Sequence, residues 1–253
     1  MNAFHTAELA KLQHTPRVSP REEIQDTFFP SCFHGAYAPV IDVRSGEVIG
    51  FQTSERFWTG RCRNPGTSQP LTSRLRRPSL SYYGRLGLKQ QQILCAPDHG
   101  WVMLDLDVDS FFAADAEPHN AYLQLFRQYA WTEREIIVNI VGQPKNADLQ
   151  AMADRLQQYG IEIALNAAGL HRGQFSLEAL LDATIVQFDS SILDRAPGPA
   201  GFSAETLMQI ARDVGIQTVM TGVDRPEHYD RARKMGVDGV QGRLFRQGGR
   251  RHQ

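Results

Sequence analysis

The side chains able to do chemistry stand at regular places in this chain, each at or just beyond the end of a short apolar run. Gln52 and Arg56 close one run, and Asp105 and Asp107 another. Asn139, Asn166, Gln187 with Asp189, Thr221 with Asp224, and Gln241 follow in turn. Metal-assisted hydrolysis or acid–base work asks for clustered carboxylates and a lysine. Here the set is polar but poor in charge, with amides where such an enzyme needs those groups. Mg²⁺ and Mn²⁺ prefer hard, anionic oxygens, whereas Gln52, Asn139 and Asn166 offer neutral ones. Asp105 and Asp107 alternate with apolar neighbours and so share one strand face, which leaves a single-cation site open as a reading. His34, His99, His119, His171 and His228 show no ligand spacing and read as surface or loop residues.

Elements must bring these residues together. Ala36–Val43 and Glu47–Phe57 read as two strands, with Arg44, Ser45 and Gly46 as the hairpin turn between them. A helix is expected from about Ser79 to Ala96. From Trp101 onward, short β-prone runs (WVMLDLDV, EIIVNIV, IEIAL, ATIVQF, IQTVM and DGVQG) alternate with amphipathic segments. The helices are expected at Ala121–Trp131, Asp148–Tyr159, Ser176–Leu181, Ser203–Val214 and Pro226–Met235. Gly160, Gly215 and Gly236 each follow one of them, where a left-handed C-cap wants glycine. Strand–helix alternation means parallel strands with crossover helices. Six such strands and the two N-terminal ones predict an α/β fold, a (β/α)8-type barrel whose site lies at the C-terminal strand ends. A doubly wound open sheet is the alternative, though no G-x-G-x-x-G turn follows a strand.

The flanks differ in composition from this core. Residues 1–32 form a polar N-terminal extension punctuated by Pro16, Pro20 and Pro30, with a short helix expected after Ser19. Residues 33–246 make the barrel, 59–78 within it read as a long basic loop, and 247–253 as a disordered tail. The net charge of −1 conceals a local imbalance. From Arg56 to Pro97 there is no Asp or Glu, while Arg56, Arg61, Arg63, Arg74, Arg76, Arg77, Arg85 and Lys89 fall there. Asp98, Asp105, Asp107, Asp109, Asp115 and Glu117 come next. The basic stretch reads as a solvated loop, as a docking surface for an acidic protein (Arg74, Arg76, Arg77 and Arg85), or as a nucleic-acid site with Tyr82 and Tyr83 as stacking residues. The acidic remainder of the chain argues against the last. No apolar run approaches the ~20 residues that cross a bilayer, and the N-terminus has no apolar leader core. Cys32, Cys62 and Cys95 are odd in number and never spaced C-x-x-C, which fits a reducing cytoplasm rather than a disulfide or zinc framework. No cofactor is expected.

From Tyr37 to Phe245 the blocks AYAPVIDVRSGEVIGFQTSERF, WVMLDLDV, GIEIALNAAG, TIVQFD, DVGIQTVMTGVD and GVDGVQGRLF occur in the order and at the spacing of an EAL domain. The chain thus resembles the family of cyclic-di-GMP phosphodiesterases. The resemblance implies a TIM-like barrel with an antiparallel first strand, which agrees with the hairpin. It also implies two-metal phosphodiester hydrolysis, and there the match breaks down. The glutamate of the E-A-L signature is Gln52, and the signature reads Gln52-Thr53-Ser54. The third-strand metal-binding asparagine is Asp105, and the fourth-strand glutamate is Asn139. The paired aspartates of the D-D-F-G block are Asn166 and Ala167. The lysine of the K-x-D block is Gln187. The glutamate of the A-E-G-V-E block is Thr221, and the nucleotide-side glutamine of Y-Q-P is Ala38. Arg56, Asp189 and Gln241 match, and with Asp224 they are the candidate nucleotide-binding residues.

One carboxylate in such a cluster does not hold two divalent ions against water, so neither a metal site nor cyclic-di-GMP hydrolysis is expected. Gln52, Asn139 and Asn166 then read as hydrogen-bonded residues filling the barrel mouth, or as part of a metal-free nucleotide pocket. Arg56 reads as a phosphate ligand or as a structural partner of Asp105 or Glu55. The expectation is a degenerate, catalytically inactive EAL-like regulator that binds a protein partner. A metal-independent cyclic-di-GMP receptor is the alternative, and residual phosphodiesterase activity ranks third. With 253 residues no GGDEF, PAS or receiver domain is expected alongside the barrel, and the resemblance implies a homodimer.

Overall fold

The computed structural model describes residues 33–57, 69–70, 78–114, 120–130, 135–142, 144–167, 176–191 and 204–245. The order of elements is strand β1 (Phe33–Asp42), β2 (Val48–Phe57), β3 (Gln69–Pro70), helix α1 (Pro78–Leu94), β4 (Trp101–Asp107), α2 (Val108–Ala113), α3 (Ala121–Ala130) and β5 (Ile136–Val141). It continues with α4 (Asn146–Gln158), β6 (Glu162–Asn166), α5 (Leu177–Leu181), β7 (Ile185–Asp189), α6 (Ala204–Asp213), β8 (Gln217–Thr221), α7 (Pro226–Lys234), β9 (Gly239–Val240) and a 3-10 turn at Arg243–Phe245.

The strands are joined in the order β1-β9-β8-β7-β6-β5-β4-β2-β3, and β1 also pairs with β2. That second pairing closes eight staves into a barrel. β1 runs antiparallel to both neighbours, with Ala38 opposite Gln52 and Ile41 opposite Val240. From β2 to β9 the staves are parallel, Gln52 standing beside Met103 and Asp105 beside Asn139. The short crossover helices return the chain to the same end of the sheet each time, which forces this parallel order.

The sequence reading of the barrel and its antiparallel first strand holds. Its boundaries shift in places. The run WVMLDLDV ends as a strand at Asp107, and Val108 already belongs to α2. Asp107 causes the change: its side chain accepts from Ser110 N and caps a helix the periodicity did not predict. Within the expected loop 59–78, Gln69 and Pro70 form a two-residue strand against Phe57 and Arg56. The last run keeps only Gly239 and Val240 as strand. Pro78, the last residue of that expected loop, opens α1, while the expected early helix, residues 59–68 and 71–77, and the tail lie outside the described residues. Gly160, Gly215 and Gly236 take φ of 70°, 81° and 69° behind their helices, as the C-cap reading requires. Among the described residues no helix is long and apolar enough to cross a membrane.

Strand alternation splits the apolar side chains into two bodies. Outward residues such as Val102, Leu104, Val138, Ile163, Val186 and Met220 pack against the helices in the larger cluster. Inward residues Val40, Trp101, Met103, Ile137, Ala164, Ile185 and Val219 fill the lower lumen as a separate cluster. Gly50 belongs to that filling. A Cβ there would stand 2.1 Å from the Trp101 ring, so the missing side chain is what lets the indole lie across the lumen.

Candidate functional site

Two residues up each strand from the apolar filling, the pleat delivers the next inward side chain. Met103 is followed by Asp105, Ile137 by Asn139, Ala164 by Asn166, Ile185 by Gln187, Val219 by Thr221 and Gly50 by Gln52. The upper lumen is therefore lined by the residues the sequence singled out, because a two-residue step keeps a side chain on one face.

Four of them bond to one another. Asp105 Oδ1 accepts from Asn139 Nδ2 at 2.7 Å and from Gln52 Nε2 at 3.2 Å. Gln52 Oε1 in turn accepts from Gln187 Nε2 at 3.1 Å, and that nitrogen also lies 3.2 Å from Met103 Sδ. The carboxylate sets the orientation of the amides, since only an N–H can face it. Counted either way around the eight staves, β7 is four strands from β2. The Gln187–Gln52 bond therefore crosses the lumen. Asn139 and Gln187 are buried, whereas Gln52 and Asp105 are half-buried. Asn139 Oδ1 accepts no hydrogen bond among the described residues.

Around this network, ion pairs stand on the rim. Arg85, on α1, reaches Asp107 Oδ2 at 2.8 Å and also contacts Ser110 Oγ. Ser110 in turn donates to Asp107 through its backbone and its hydroxyl, each at 2.8 Å. Across the mouth, Arg243 donates to Asp224 from its backbone (2.8 Å) and from Nε (2.7 Å). Burial pulls the Asp224 carboxyl upward. The hydrogen bonds from Arg243, with the charges of Arg243 and His228, outweigh that and hold it below the ordinary carboxylate range. His228, expected on surface or loop, sits half-buried on α7 with Nδ1 3.1 Å from Gly222 O. At the opposite end of the barrel, burial and the neighbouring Glu162 charge push Glu135 upward.

The other predicted positions divide by where they stand. Asp189 is exposed at the end of β7 and accepts from Ser191 N at 2.8 Å. Gln241 donates to Ala38 O at 3.3 Å, tying the last stave to the first. Thr221 reaches Phe188 O at 3.4 Å, and Ala167 is buried directly after β6. The Arg56 backbone pairs with His34 and Pro70, but its side chain lies outside the described residues, as do Arg74, Arg76 and Arg77. Arg85, read from sequence as a docking residue, is engaged by Asp107. Arg243 and Ser110 were missed. The available signals were the D-x-x-S spacing at Asp107–Ser110 and the arginine in QGRLF. Among the described residues no three His, Cys, Asp or Glu side chains converge as a metal-binding group would.

The family model described as EAL domain matches residues 21–247. No curated protein matches the chain in sequence. Several solved structures share the fold. The EAL enzyme Bd1971 in its cGMP-bound form is 12% identical with a TM-score of 0.63, over 84% of this chain and 62% of that one. The YkuI protein of Bacillus subtilis, in complex with substrate c-di-GMP and calcium, is 14% identical with a TM-score of 0.62, over 84% and 54%. A standalone versatile EAL protein from Vibrio cholerae O395, in its c-di-GMP bound form, is 16% identical with a TM-score of 0.62, over 85% and 91%. This chain thus spans less than two thirds of the first two proteins and nearly all of the third.

Proposed function

The chain belongs to the EAL domain family of cyclic-di-GMP signalling, and from that premise we propose that it is a non-hydrolysing member that acts by binding a protein partner in the cytoplasm. One observation carries the reading. Among the described residues the one carboxylate in the inner polar layer, Asp105, is taken up by amide N–H groups from Gln52 and Asn139. Phosphodiester hydrolysis of the two-metal kind needs several anionic oxygens to hold the ions and a group to manage a proton. The divalent pair that the family implies does not fit this donor set. One carboxylate shared by two amides and a further glutamine across the lumen supplies one negative charge, and the amides present nitrogen rather than oxygen toward it. The Gln187 amide donates hydrogen bonds but does not titrate, so it cannot relay a proton.

Protein binding is favoured over a nucleotide role by the state of the rim cations. Arg85 and Arg243 are each committed to a carboxylate of this chain, and a guanidinium so engaged is a poorer phosphate ligand. In sequence, the acid-free stretch from Arg56 to Pro97 carries Arg61, Arg63, Arg74, Arg76 and Arg77, the kind of charge that an acidic partner would recognise.

The test is a pair of assays on the whole chain. With Mg²⁺ or Mn²⁺, cyclic-di-GMP is expected to remain intact. Turnover that Asp105→Ala abolishes would overturn the non-hydrolysing reading. In calorimetric titration no heat of cyclic-di-GMP binding is expected, with or without Mg²⁺. Micromolar binding that Arg56→Ala removes would replace the protein-binding reading with a metal-independent nucleotide receptor.

A further inference from the structure

The bonds among Asn139, Asp105, Gln52 and Gln187 do more than occupy would-be ligands. They connect β5, β4 and β2 side by side and then cross the lumen to β7. A half-buried carboxylate needs a counter-charge or hydrogen-bond donors to stay ionised at tolerable cost. Two amide groups supply the donors here, and a third amide, Gln187, satisfies the oxygen that Gln52 turns away from the carboxylate. We propose that this four-residue strap is the fastening of the barrel mouth. It does for this chain what a bound cation does for a carboxylate-lined mouth, so the fold is held without divalent ions.

The inference deepens the non-hydrolysing reading and rests on it, since both are argued from the bonds that occupy Asp105. Its own consequence is electrostatic. Gln52→Glu would set a second carboxylate about 3 Å from Asp105, where two like charges cannot both ionise cheaply. The variant also loses the donated N–H. Gln52→Met loses the N–H but adds no charge, and Gln187→Met cuts only the bond across the lumen.

Thermal midpoints of the whole chain in EDTA, Mg²⁺ and Ca²⁺ test the proposal. The wild-type midpoint is expected to be the same in all three. Gln52→Glu is expected to fall by about 5 °C in EDTA and to recover part of that in Mg²⁺ or Ca²⁺. Gln52→Met and Gln187→Met are expected to fall by less, with no response to ions. A wild-type midpoint raised by either ion would overturn the proposal, as would a Gln52→Glu midpoint equal to wild type in EDTA. If Gln52→Glu does not fold, an ion response by Gln52→Met overturns it instead. Assaying the same wild-type sample for turnover separates the two readings. Turnover with an ion-independent midpoint sinks only the non-hydrolysing reading. An ion-raised midpoint without turnover sinks only the strap.

Discussion

The lumen of this barrel is filled twice by different means. Its lower layer is apolar: Val40, Trp101, Met103, Ile137, Ala164, Ile185 and Val219 pack into one cluster with Gly50 making room for the indole. Its upper layer is polar, and Gln52, Asp105, Asn139 and Gln187 are joined by directional bonds. The lower filling needs only volume, and substitutions there cost in proportion to the cavity left. The upper filling needs partners. Removing one member strands the others, and an unmet buried donor costs more than the bond itself was worth. Stability in one layer is set by shape, and in the other by hydrogen-bond bookkeeping.

The sharpest way to break this contrast is at Trp101. Trp101→Ala is expected to cost about 3–5 kcal/mol in chemical denaturation. Gly50→Ala should cost about 1–3 kcal/mol by overpacking, and in the Trp101→Ala background that penalty should disappear. If both penalties persist together, the lower layer is not governed by the volume these two residues share.

In the upper layer, Asp105→Leu leaves the Gln52 and Asn139 N–H groups without their acceptor. About 1–3 kcal/mol is expected. Asp105→Asn keeps one acceptor oxygen and should cost less. Equal costs for the two, again by denaturant titration, would mean that acceptors do not decide stability here.

The smallest effects are those that depend on pH. Asp224 titrates below its unfolded value in the fold, so the stability it contributes is present above the ordinary carboxylate range. That stability is lost as pH falls through the lowered value. Asp224→Asn should therefore be less stable than wild type at neutral pH, and the two should converge in acid. Glu135 is raised, so the sign reverses. Its favourable contribution is present at acid pH and fades as pH rises through the raised value. Glu135→Gln should be slightly more stable than wild type at neutral pH and indistinguishable near pH 3. Thermal midpoints from neutral pH down to about pH 3 would show each pair converging or staying apart.

Much of this was legible before any coordinates. Alternation at two residues marked the strands, 3.6-residue periodicity marked the helices, and Gly160, Gly215 and Gly236 marked where helices stop. Those are local signals, each set within a few residues by backbone sterics and by the burial of one face. The capped helix at Val108–Ala113 was missed because apolar periodicity over six residues does not separate strand from helix. A side chain of the preceding strand, Asp107, settled the matter. Arg243 was missed as a rim residue for a different reason: its partner Asp224 stands on another segment, and nothing local pairs them.

The sequence by itself determined that inward positions of the staves would carry Gln52, Asp105, Asn139, Asn166 and Gln187, because alternation along a strand fixes the face. It also determined the poverty of charge among them. Only the tertiary structure decided which of these side chains touch. The bond from Gln187 to Gln52 joins residues on opposite walls. Its existence depends on the closure of eight strands and on the diameter this imposes, a property of the barrel as a whole.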